Sequence, residues 1–65
     1  MKFEENDVVR IITDCKRGIE KGEVGTILAV FDVPHEAYEV EVVDEMGYPK
    51  AQCAFLPSEL ELLMR

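Results

Sequence analysis

The sequence predicts an all-β fold: one long, bent second strand and four short ones wrapped around it into a small five-stranded barrel, with a single 3-10 turn before the last strand. Three stretches carry that prediction. Lys21 to Asp32 opens with Gly22 and Gly25 and continues as an apolar, partly β-branched run, the composition of a half-buried strand. Ala37 to Val43 alternates, with Tyr38, Val40 and Val42 on one side and Glu39 and Glu41 on the other. Tyr48 to Phe55 follows a short loop ending in Gly47 and is suited to return antiparallel.

At 65 residues the chain is one domain, residues 1–65. A domain of this size hides only about 60% of its unfolded surface, and its core rarely supplies more than about 3–5 kcal/mol of stability. Closing the sheet removes exposed edges, which is why a barrel is expected.

Phe3 to Asn6 is a polar lead-in, with Phe3 counted among the surface aromatics. Asp7 to Thr13 is the first strand, with Val9 and Ile11 inward and Arg10 in water. Asp14 to Glu23 is a charged loop with Gly18 and Gly22, pinned by its one large aliphatic residue, Ile19. The second strand, Val24 to Asp32, breaks strict alternation. Val24, Ile27 and Val30 recur at three-residue spacing, with Leu28 and Phe31 between them. One extra residue, a β-bulge, restores the two-sided pattern, and Gly25 marks a bend or a close backbone approach. Val33-Pro34-His35-Glu36 is a turn. A four-residue loop at Asp44–Gly47 places Glu41 opposite Lys50, Glu39 opposite Gln52, Val40 opposite Ala51 and Tyr38 opposite Cys53. A Glu41–Lys50 pair contributes about 0.2–1 kcal/mol. Leu56 to Leu60 reads as one helical turn with Pro57 near its start, and Glu61 to Met64 as a short last strand.

Seven basic and fourteen acidic residues leave a net charge of −7. Nucleic-acid affinity rests on Lys and Arg displacing phosphate counterions, so this composition disfavours it. The cations cluster once, at Lys16, Arg17 and Lys21, and a solvated loop is the plainer account of that cluster. No apolar window approaches a membrane span, and the first residues lack the apolar core of a signal peptide. The expected setting is cytoplasmic, where Cys15 and Cys53 stay reduced. Neither cysteine belongs to a multi-ligand zinc spacing.

No catalytic constellation emerges. His35 is the only histidine and lies in a turn, where a solvated side chain is the ordinary role. Nothing local joins it to Cys15 as a nucleophile–base pair. Gly22 and Gly25 lead into a strand rather than a helix, so they form no phosphate loop. The acidic residues lack calcium-loop spacing. No activity, metal or cofactor is expected. Proline-peptide grooves and methyl-lysine cages need several surface aromatics, and this chain has no tryptophan, two tyrosines and three phenylalanines.

The order of parts resembles SH3-like barrels. More closely, the chain resembles a bacterial family, domain of unknown function 4926 (DUF4926). The matching residues are Asp7-Val8-Val9, Gly22-Glu23-Val24-Gly25-Thr26-Ile27, Tyr38-Glu39-Val40-Glu41-Val42 with Asp44, and Leu56-Pro57-Ser58-Glu59-Leu60. A looser likeness extends to the SH3-like domain of the nitrile hydratase beta subunit and to KOW modules. The resemblance implies a fold, a bacterial cytoplasmic setting and a role as a small partner of another protein; it carries no activity.

The expected function is a non-catalytic interaction module or accessory subunit whose partner is another protein encoded nearby. Its candidate surface is the acidic set Glu39, Glu41, Asp44 and Glu45, which steers a basic partner, with Leu28 and Phe31 (or Met46 and Met64) as the apolar centre. A soluble surface is the plainer account of the same charge. Two alternatives stand beside it: a KOW-like nucleic-acid contact through Lys16, Arg17 and Lys21, and a homo-oligomer that buries apolar strand edges.

Overall fold

A computed structural model describes residues 1–65 as five antiparallel strands in one sheet, ordered β4-β3-β2-β1-β5. The strands are β1 (Val8–Ile11), β2 (Val24–Phe31), β3 (Ala37–Val43), β4 (Pro49–Phe55) and β5 (Leu60–Met64). A lone 3-10 turn, Pro57–Glu59, precedes β5, and no helix is long and apolar enough to cross a membrane. The class and element order follow the sequence reading; the closure does not. β4 and β5 remain the two edges of an open sheet, since no hydrogen-bonded ladder joins them.

Alternation decides which side of each strand is buried. Val9 and Ile11 of β1, Ile27 of β2, Tyr38, Val40 and Val42 of β3, Cys53 and Phe55 of β4 and Leu60 of β5 form one apolar cluster with Phe3 and Ile19. Arg10 faces solvent, as expected, and pairs with Glu61 at 3.1 Å. The bulge in β2 falls where the pattern broke. Ile27 pairs with Val40 and Ala29 with Glu39, leaving Leu28 as the extra residue.

The charged loop before β2 is built on a two-residue turn. Lys16 and Ile19 exchange both backbone hydrogen bonds at 2.9 Å, with Arg17 and Gly18 at φ 51° and 81°. Paired positive φ values define a primed turn, whose twist suits a hairpin. The turn delivers Ile19 into the core, fully buried.

Three sequence readings are corrected. Phe3 is not a surface aromatic: it is 1% exposed and meets the Tyr38 ring edge-to-face at 5.1 Å. The Tyr38 hydroxyl accepts hydrogen bonds from the Lys2 and Phe3 amides at 3.0 and 3.1 Å and donates to Glu36. That grip draws the lead-in onto the sheet.

The β3–β4 register is also shifted by two residues from the expected one. Asp44 bonds across to Tyr48, so the loop proper is Glu45-Met46-Gly47, with Gly47 at φ 87°; this is the geometry of a three-residue hairpin with glycine in the left-handed region. A second irregularity follows, because Val43 pairs with Pro49 but Val42 with Ala51. Each step moves the register by one. Two steps restore the faces, so Val40 stays inward but opposes Cys53 rather than Ala51, and Tyr38 opposes Phe55. The third correction follows from the second. Lys50, left between paired positions, does not meet Glu41; it bonds Glu23 at 2.6 Å and ties β4 to the entry of β2.

Candidate functional site

Cross-strand partners in a sheet share a face. On the outer side of β2, β3 and β4, Thr26, Glu41 and Gln52 form one row and Ala29, Glu39 and Ala54 the next. Phe31 and Ala37 form a third. The bulge at Leu28 sets this arrangement: it turns Val30 toward the core opposite Tyr38 and sends Phe31 outward, 46% exposed. Phe31 therefore shares a face with Glu39 and Glu41. Alanines occupy both cross-strand positions beside Glu39 and the one opposite Phe31, which leaves a shelf of small side chains between the ring and the carboxylates. Glu39 and Glu41 are half-buried, and neither forms an ion pair.

The other candidates separate from this face. The Asp44 carboxylate turns back on its own loop and accepts the Met46 and Tyr48 amides at 2.9 and 3.0 Å, so its role is to shape the hairpin. Glu45 and Met46 are exposed at the hairpin tip. Met64 lies on β5, at the opposite edge of the sheet.

Of the basic cluster, Lys16 is engaged within the chain, whereas Arg17 and Lys21 are exposed and form no ion pair. Lys16 pairs with Glu59 at 3.2 Å and lies over the Phe55 ring at 4.9 Å. A shallow groove lined by Lys16, Arg17, Glu39, Gln52 and Ala54 places this turn against the acidic face. Lys21 is exposed between Glu20 and Glu23. His35 is exposed in the β2–β3 turn, Cys15 is an exposed free thiol, and Cys53 is a buried one. Every buried side-chain nitrogen or oxygen has a hydrogen-bond partner.

Three carboxyl groups are held below the ordinary glutamate value of 4.5. At Glu23 the Glu20 amide and Lys50 are responsible, and at Glu36 the Tyr38 hydroxyl and the Lys2 amide. At Glu59 burial pushes the other way but is outweighed by the Leu56 amide and Lys16. The Tyr38 hydroxyl is raised, by burial first and by Glu36 second. A lowered folded-state pKa stabilises the protein above the unfolded value, and that contribution is lost as pH falls through the folded value. The melting temperature is therefore expected to decline below pH 4.5, where these three groups protonate. Glu59→Gln, which keeps an acceptor for the Leu56 amide but loses the Lys16 ion pair, should melt up to about 5 °C lower at neutral pH. It should also decline less steeply in acid. Circular dichroism melts across pH 3–7 read both effects; equal acid slopes for the two proteins would contradict the assignment.

Leu62 and Leu63 were missed as surface candidates. Their signal was two adjacent leucines in a strand where one face should be polar; they are 37% and 40% exposed. Neither a curated protein nor a solved structure matches the chain. The family described as Domain of unknown function (DUF4926) matches residues 5–62, nearly the whole sheet, and the chain belongs to that family.

Proposed function

We propose that the protein is a small non-catalytic interaction module that docks another protein on the outer face of β2, β3 and β4. The observation that carries this reading is Phe31, nearly half exposed on an alanine shelf beside Glu39 and Glu41. Exposed aromatic rings in a polar rim are typical anchors of protein interfaces. Carboxylates without an internal cation are free to pair with Lys or Arg from outside, and opposite charge raises the rate of encounter. The matching partner presents a basic residue next to an apolar one.

The test is affinity capture from the native cell extract with wild-type chain, Phe31→Ser and Glu39→Lys as bait. A protein retained by wild type and lost from both variants supports the reading, provided that both variants melt like wild type. Glu39→Lys should lower the association rate at least about tenfold at low salt and by less at high salt. Capture that ignores both substitutions overturns it.

A further inference from the structure

We propose that Arg17 is a specificity residue of the docking face: it takes a carboxylate from the same partner segment whose basic residue meets Glu39. The inference rests on the outer-face reading and adds an acidic residue to the partner's chemistry. The Lys16–Ile19 turn borders the outer face beside β4. A shallow groove there is lined by Lys16 and Arg17 of the turn, by Gln52, Cys53 and Ala54 of β4 and by Glu39 of β3. Arg17 and Glu39 bring opposite charges to one groove. No ion pair joins them, and neither pairs with any other residue.

Lys16 differs from its neighbour. Its ammonium is held on Glu59 at 3.2 Å and over the Phe55 ring at 4.9 Å, so it forms a fixed wall. Arg17 is exposed, with its backbone at φ 51°. That is the left-handed region, which strains most side chains and which glycine, asparagine or aspartate ordinarily fill in a primed turn. Asparagine would make the turn better than arginine does. Strain kept at an exposed residue with no partner inside the chain points to a use of its side chain outside.

Charge identifies the occupant. A phosphate backbone is repelled by Glu39 and Glu41 and by a net charge of −7. A purely basic segment would satisfy Glu39 but set its next cation against Lys16 and Arg17. A segment with a cation and a carboxylate satisfies both ends: the cation goes to Glu39 and the carboxylate to the Arg17 guanidinium, which can hold it at two points. The order follows from the sheet. Phe31 lies on β2, Glu39 on β3, Ala54 on β4 and the turn beside β4, with neighbouring strands about 4.8 Å apart. Ala54, opposite Glu39, leaves the way from Glu39 to the turn clear of bulk. The partner segment crosses the strands and presents an apolar, a basic and an acidic residue in that order.

The probe is a phage-displayed library of random short peptides, selected on the full wild-type chain and in parallel on Arg17→Asn and Arg17→Glu. Wild type should enrich peptides that carry an apolar, a basic and an acidic residue. Arg17→Glu should exchange the acidic one for a second basic one. In a synthetic peptide selected on wild type, replacing the acidic residue by its amide should weaken binding to wild type at least about threefold and leave binding to Arg17→Asn unchanged. Arg17→Asn should melt at or above wild type, because asparagine relieves the turn. Peptides that bind Arg17→Asn as well as wild type overturn the proposal, as does a library that yields none. Arg17→Asn melting well below wild type also overturns it, since the arginine would then serve the fold. Binding lost in Phe31→Ser and Glu39→Lys but indifferent to Arg17→Asn overturns this inference alone and leaves the outer-face reading standing. Binding that needs Arg17 and ignores the other two substitutions overturns both.

Discussion

Val40→Asp is expected to leave the chain unfolded at 25 °C. Val40 is fully buried at the middle of β3, with Ile27 opposite on β2 and Cys53 opposite on β4. None of these can pair with a carboxylate. A buried charge without a partner costs several kcal/mol, which matches the roughly 3–5 kcal/mol that a domain of this size possesses. Far-UV circular dichroism and the loss of a cooperative melt would register the effect. Glu39→Lys, one residue away on the opposite face, should stay within about 1 kcal/mol of wild type. The contrast between neighbours is the critical result: a native-like melt for Val40→Asp would mean that β3 presents its other face to the core, since a one-residue slip exchanges the two.

How much of this was legible in the sequence depends on how far each contact reaches. Tyr38, Val40 and Val42 could be read because strand alternation is local, and their faces remained correct even though the hairpin register was two residues off. The register itself rested on the length of the Asp44–Gly47 loop. Its backbone pairing makes the loop one residue shorter than read, and a second irregularity at Lys50 follows. Neither has a hydrophobic signature. The pairing of Glu41 with Lys50 was chemically sensible and still wrong, because Glu23, distant in sequence, offers Lys50 a partner at 2.6 Å. Phe3 was misplaced for a similar reason: its burial depends on Tyr38, 35 residues away, gripping its amide.

The candidate surface was half visible. Phe31, Glu39 and Glu41 were named from exposure and charge, but their common face depends on the bulge at Leu28, which the broken spacing of β2 did signal. Asp44 looked like part of an acidic patch because a carboxylate that caps its own turn has the same one-letter code as one that waits for a partner. The open edge at β5 was concealed by the expectation of a closed barrel.

Gly25→Ala is the second substitution with a large expected effect, and its cause is space. Gly25 lies in β2 opposite Val42, and its φ is not left-handed. A Cβ there would stand 2.6 Å from Val40 Cγ1, 2.7 Å from the Glu41 carbonyl oxygen and 3.2 Å from Val42 Cγ2. The valine methyls belong to packed core side chains and the oxygen to the backbone, so relief requires β2 and β3 to move apart. Overpacking of this kind costs about 1–3 kcal/mol. The reduced freedom of the unfolded chain returns about 0.4–1 kcal/mol, and the net loss should lower the melting temperature by roughly 5–15 °C. Gly22→Ala is the informative comparison. Nothing lies within 4 Å of a Cβ at Gly22, but its φ is +97°, so its cost is conformational and should not respond to changes in the core. Adding Val40→Ala should therefore offset part of the Gly25→Ala penalty, because it removes one of the clashing atoms, and should merely add to that of Gly22→Ala. Melting curves for the single and double variants decide the matter. Strict additivity at Gly25, or a Gly25→Ala protein that melts with wild type, would show that β2 and β3 are not as close at this point as the packing of Val40 against the glycine requires.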